Sequence, residues 1–148
     1  MIELHPLRES DIEPLASWLP DVAKAAGCET WSDSTRLPGA VGRDDVLVAG
    51  GREAFLHYET NRPNQGGALV RFLAVEPGQR RLGIGGRVAL TLEQRVRGSA
   101  ARMYVAVPAE IGLALYFWLR LGYRPLTQPE WPAPPERAPS TWMVRGIR

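Results

Sequence analysis

Residues 76 to 86 read EPGQRRLGIGG, with Arg80 and Arg81 set among Gly78, Gly83, Gly85 and Gly86, between the apolar run 72–75 and an amphipathic stretch that begins at Ile84. A helix leaves its first four N–H groups without intrahelical partners and carries partial positive charge at that end, so it offers a seat for an anion. Glycines let a ligand approach those N–H groups without Cβ interference, and arginine adds a planar fork of donors that matches phosphate. The turn is therefore read as a cradle for phosphate or pyrophosphate. Two familiar nucleotide loops do not fit it. A Walker loop needs Gly-Lys followed by Ser or Thr, and this turn has no lysine; a dinucleotide fingerprint needs glycine or alanine where Val88 stands. Without its arginines the turn would read only as a tight link between strand and helix.

The elements around it must present that turn. At 148 residues, 45% hydrophobic and 23% charged, the chain has the make-up of one globular domain with one core, and 1–148 is read as a single domain. "IELHPL" is a strand, followed by Ser10 and Asp11 as caps and by Ile12, Leu15, Trp18 and Leu19 at helical spacing. Residues 27–45 are loop with one short helix, and "DVLVAG" and "REAFLHYET" make a hairpin about Gly50 and Gly51. "ALVRFLAV" completes an antiparallel meander. Ile84, Val88, Leu92 and Val96 then stripe a helix ended near Gly98, and "RMYVAV" returns parallel to the strand before the turn. "AEIGLALYFWLRLG" is apolar almost all round, the pattern of a buried helix, with Gly122 just past its end. "YRPL" and "TWMVRGI" are two last strands, joined by a segment with five prolines in residues 127–140 that cannot be helical. The fold class is α/β: a mixed sheet of about seven strands, mostly antiparallel with one central parallel pair, and three or four helices.

Composition narrows the function classes. Lys24 is the only lysine among 18 basic residues, and the arginines are scattered rather than gathered on one stretch, which argues against a nucleic-acid partner. The single Cys28 can form no internal disulfide, and two histidines without a Cys or acidic cluster at ligand spacing imply no metal site. With no apolar leader and no run approaching a membrane span, the expected place is the cytoplasm and no membrane partner is expected.

"LAVEPGQRRLGIGGRVALTLE" resembles motif A of the GCN5-related N-acetyltransferases (GNAT), in which Arg or Gln, two residues, Gly, one residue and Gly or Ala follow one another; Arg80, Gly83 and Gly85 occupy those positions. "PLRESDIEPLASWL" is similar to that family's first strand and helix, "ALYFWLRLGYRP" to its motif B, and "TWMVR" to its last strand. The resemblance spans nearly the whole chain. It implies acetyl-CoA as co-substrate, with the pyrophosphate on backbone N–H groups of Arg80, Arg81, Leu82, Gly83, Ile84, Gly85 and Gly86 and the pantetheine arm along Leu73, Ala74 and Val75. It implies direct acetyl transfer to an amine of a small molecule or peptide, for which a base or water chain and an acid for the leaving thiolate are the usual additions.

Motif B departs from the family. The position of the tyrosine that acts as general acid in many members holds Trp118, and Ile111 stands where asparagine is frequent. Tyr116 is the nearest alternative acid, two residues away and so about 200° round the helix. Glu59 and His57 share one side of their strand and are base candidates, while Glu76 occupies a surface position. The resemblance brings the acceptor between residues 27–45 and 128–140, which carry Trp31, Asp33, Asp44, Asp45, Glu130 and Trp131; acids beside aromatics would suit a cationic amine. The altered motif B also allows a non-catalytic acetyl-CoA sensor or partner subunit, and the apolar C-terminal strands offer an edge for a homodimer.

Overall fold

The structure, a computed structural model, describes residues 2–80, 83–137 and 139–147. Its strands are β1 (Leu4–Pro6), β2 (Val46–Ala49), β3 (Ala54–Thr60), β4 (Gly67–Val75), β5 (Arg102–Pro108), β6 (Arg124–Pro125) and β7 (Ser140–Gly146), in the sheet order β1-β2-β3-β4-β5-β7-β6. β1–β2, β2–β3, β5–β7 and β6–β7 pair antiparallel, whereas β4 and β5 run parallel, from Gly67 opposite Arg102 to Val70 opposite Val105. This is the expected mixed sheet with one parallel pair. β4 continues to Val75, past the last residue in that register.

Five α-helices lie among the described residues: α1 (Ile12–Ala16), α2 (Leu19–Ala25), α3 (Leu37–Ala40), α4 (Ile84–Val96) and α5 (Gly112–Arg120). The single first helix of the sequence reading is two, because Pro20 sits in the first turn of α2, where a residue without an N–H starts a helix more readily than it continues one. Asp11 does not cap α1 with its side chain. Its carboxylate accepts from Arg8 N–H and from Arg52 Nε, 2.8 Å away, at 2% exposure.

The β2–β3 hairpin turns about Gly50 and Gly51, as expected. Arg52 N–H donates to Ala49 C=O, and the left-handed residue is Arg52 itself, φ +61°. With Val48 opposite Phe55 the register leaves a four-residue link, 50–53, in which the left-handed residue is the third. The Asp11 ion pair holds the Arg52 side chain in this unusual backbone position.

The chain divides into two compact units, Met1–Tyr58 with Phe72–Leu92 and Glu59–Arg71 with Glu93–Arg148. The first packs Leu15, Leu19, Trp31, Val46, Val48, Phe55, Phe72 and Ala74 into one apolar cluster. In the second, Leu69, Tyr104, Leu126, Trp142 and Val144 cluster, with the Tyr104 and Trp142 rings edge to face at 6.2 Å.

α5 overturns the buried-helix expectation. Of its residues only Trp118 is buried; Leu113 is 85% exposed and Tyr116 61%. The helix ends as expected at Gly122, φ +93°, where Gly122 N–H donates to Leu119 C=O and Tyr123 N–H to Trp118 C=O. This is the Schellman arrangement, and its usual apolar contact is present as Trp118 against Tyr123, ring centroids 4.8 Å apart.

Candidate functional site

The glycine turn closes β4 and opens α4. After Val75 a 3-10 turn covers Pro77–Gln79, then the extended Arg80 leads to Gly83, whose φ of +72° is left-handed. A Cβ at Gly83 would meet nothing within 4 Å, so glycine serves the backbone conformation there and not close packing. Gly83 C=O accepts from Arg87 N–H, which sets the first helical bond of α4. Arg80 is exposed and leans its Nε on Val75 C=O through a long 3.4 Å contact, which leaves the guanidinium able to turn to an anion. Ile84 anchors the helix start at 6% exposure, with Gly85 and Gly86 half-buried beside it. Ala74 is buried, and Leu73 and Val75 are half-buried on β4. Arg81 and Leu82 lie outside the described residues.

Trp31 and His57 come together in the first unit. Trp31 Nε1 donates to His57 Nδ1 at 3.2 Å, and His57 Nε2 is 3.5 Å from Asp45 Oδ2. An Nδ1 that accepts carries no proton, so the neutral ring holds its proton on Nε2, toward Asp45. The lone pair a general base would use is thus engaged by the indole. Arg43 grips both Asp45 oxygens, at 2.9 and 2.6 Å, and its hydrogen bonds hold the Asp45 carboxyl below the usual aspartate range despite partial burial. Trp31 itself is 3% exposed and packs edge-on against Phe55 at 4.9 Å. It is a core ring first, and only an edge of it reaches a groove.

The remaining candidates fall in the second unit. Glu59 lies between two guanidinium groups, Arg71 Nε at 3.3 Å and Arg62 Nε at 3.7 Å, so a proton taken there would weaken both pairs. Tyr116 is on the open side of α5, with Arg120 over its ring at 5.8 Å. Trp131 is half-buried against the second cluster and donates its Nε1–H to Leu126 C=O at 3.1 Å. Asp33 and Glu130, two of the acids expected to greet a cation, are engaged as well. Asp33 accepts from Thr35 N–H and Oγ1, and the hydroxyl bond first of all holds its carboxyl low. Glu130 accepts from Thr127 N–H and Oγ1. Among the described residues no His, Cys, Asp and Glu gather as a metal site, and no helix is long and apolar enough to cross a membrane.

Among the described residues two grooves stand out on the surface. One of about 640 Å³, lined by Asn64, Gln65, Arg102 and Tyr104 among others, sits at the start of β4, the opposite end of that strand from the glycine turn. The other, about 280 Å³, lies in the first unit and is lined by Thr30, Trp31, Thr35, Arg36, Gly39 and Arg43. Sequence reasoning named only Trp31 among these. The Asp33–Thr35 cap was the available signal, since an acid two residues before threonine in a turn is readily engaged by it.

No protein-family model matches the chain, and no curated protein sequence matches it. Solved structures do. An acetyltransferase of the GNAT family from Staphylococcus aureus Mu50 aligns over 100% of both chains with a TM-score of 0.74 at 13% identity. The chain has the GNAT fold. The ribosomal-protein-S18-alanine N-acetyltransferase from Escherichia coli aligns over 99% of this chain and 94% of its own, TM-score 0.66 at 20% identity. N-acetylglutamate synthase from Neisseria gonorrhoeae, in complex with coenzyme A and L-arginine, aligns over 99% of this chain and 33% of its own, TM-score 0.70 at 16% identity.

Proposed function

We propose that the protein is an N-acetyltransferase that carries an acetyl group from acetyl-CoA to an amine by direct transfer. The observation that carries this reading is the end of β4: a left-handed Gly83 opening a 13-residue helix, with an exposed Arg80 beside it. Unpaired N–H groups of the first turn of α4 and the Arg80 guanidinium would hold the pyrophosphate. Backbone groups of Leu73 to Val75, beyond the last residue in register with β5, would pair with the pantetheine arm. Support also comes from the neighbours of like fold, one of them in complex with coenzyme A. Acetyl-CoA supplies an acetyl thioester already activated toward an amine. The chain's part is placement of the two reactants, which can account for a large share of such a rate.

Proton handling falls to water in this reading. His57 has its lone pair on Trp31, Glu59 is shared by two arginines, and Trp118 has no acidic proton to give a thiolate. Trp118 also favours a second reading, an acetyl-CoA-binding sensor or partner subunit without turnover. Calorimetric titration with acetyl-CoA, followed by acetyl transfer to a broad amine panel, separates the two. Micromolar binding with turnover supports the transferase, binding without turnover supports the sensor, and no binding removes both.

A further inference from the structure

We propose that the groove over Trp31 seats a carboxylate, and that the acceptor is an amine that carries one, such as an amino acid or a short peptide with a free C-terminus. The inference about the acceptor rests on the transferase reading; the anion seat does not.

The lining decides the sign of the charge. Thr30, Trp31, Thr35, Arg36, Gly39 and Arg43 include two cations, two hydroxyls and no acid. Arg43 is engaged with both oxygens of Asp45, so its charge is largely balanced. Arg36 differs: its side chain makes no hydrogen bond within the described residues, and its one noted partner is the charge of Asp33, felt without contact. Asp33 is itself committed to the Thr35 N–H and hydroxyl. One uncommitted guanidinium beside the Thr30 hydroxyl matches a single negative charge with two oxygens, which is a carboxylate; a phosphate dianion would call for more positive charge than the groove offers. A polyamine would meet the Arg36 cation with no acid in the lining to answer it. This reverses the cationic acceptor expected from the acids of residues 27–45.

The groove also has a physical tie to the strand proposed to hold the thioester arm. Its Trp31 wall packs on Phe55 at 4.9 Å, and Phe55 packs on Phe72 at 6.3 Å, the residue before Leu73 on β4. Trp31, Phe55, Phe72 and Ala74 belong to one buried cluster, so the wall of the groove and that strand share a packed core. At about 280 Å³ the groove has room for an amino acid.

Two variants test it without disturbing the core. Arg36→Gln removes the charge of an exposed residue, and Gly39→Leu fills the groove from a position where a Cβ meets nothing within 4 Å. Binding of glutarate and of cadaverine, a dicarboxylate and a diamine of similar length, is followed on the Trp31 indole N–H resonance of the full chain. Glutarate should shift it and cadaverine should not; Arg36→Gln should weaken glutarate about tenfold or more, as expected for loss of a charged hydrogen bond, and Gly39→Leu should weaken it by occupying the groove. No glutarate shift, equal response to cadaverine, or no change in Arg36→Gln overturns the anion seat. The acceptor is then tested with glycine, β-alanine and γ-aminobutyrate, each against its amide, with acetyl-CoA. Preference for a carboxylate member, with KM raised about tenfold in Arg36→Gln, rescue by Arg36→Lys and unchanged acetyl-CoA affinity, is the expected result. Preference for the amides, or no acetylation of any member despite acetyl-CoA binding, overturns the acceptor assignment. Failure of acetyl-CoA binding with glutarate binding intact removes the transferase reading and leaves the anion seat standing.

Discussion

Gly83→Ala probes the turn and its proposed cargo together. At φ +72° an added Cβ is forced against the backbone, which costs about 1–2 kcal/mol for a residue other than glycine. No clash adds to that, because the Cβ would meet nothing within 4 Å. The loss should appear as a fall in Tm of roughly 2–8 °C for a chain of this size, and Gly83→Asn, which tolerates the left-handed region better, should lose less. If the first turn of α4 holds pyrophosphate, relaxing the strain by moving the helix start will also displace its N–H groups, and acetyl-CoA should bind about tenfold more weakly, about 1.4 kcal/mol. Thermal unfolding without ligand and calorimetry with acetyl-CoA read the two effects separately. An unchanged Tm in Gly83→Ala would refute the backbone argument. A lowered Tm with unchanged affinity would refute the cradle.

Trp118→Ala should cost about 3–5 kcal/mol by emptying the contact that closes α5 against Tyr123, measured by denaturant unfolding. Trp118→Tyr should cost less and leave turnover no higher, since the side chain is buried in that contact; a rise in rate would mean the position faces the thioester after all. The buried Glu93 gives a pH signature. Burial pushes its carboxyl above the usual glutamate value of 4.5, only partly offset by Arg145, by the Tyr123 hydroxyl and by Arg97. A raised value favours the fold at low pH and loses that favour as pH rises through it, so wild type should lose stability relative to Glu93→Gln from about pH 4.5 toward neutrality. Asp11 has the opposite sign. Burial would raise its carboxyl, but Arg52, Arg8 N–H and His5 outweigh it and hold it below 3.8, so its contribution is lost as pH falls and Asp11→Asn should flatten the acid limb of stability.

Much of the site's frame was legible because it rests on local patterns. The stripe Ile84, Val88, Leu92 and Val96 is buried as its spacing required, and Gly122 ends α5 in the left-handed form that only its neighbours in sequence demand. α5 misled because an apolar composition records what a helix could bury, not what covers it. Leu113 and Tyr116 face outward although nothing in their own segment distinguishes them from Trp118. Loop acids misled for a related reason: Asp33, Asp45 and Glu130 look available in a sequence, and each is answered by a donor two or three residues away whose geometry is set only once the turn is formed.

By itself, then, the amino-acid sequence determined the order of strands and helices, the parallel crossover through α4 and the glycine–arginine turn at its head, since helical and strand periods and the conformational freedom of glycine act within a few residues. Only the tertiary structure decided which of those residues are free to act. Trp31 meets His57 across 26 positions and takes its lone pair, Trp118 closes on Tyr123, and Arg36 lines a groove with no hydrogen bond of its own among the described residues. Partnership of a donor with an acceptor depends on distances that chain folding sets, and it is that pairing, not residue type, that leaves a group available for chemistry.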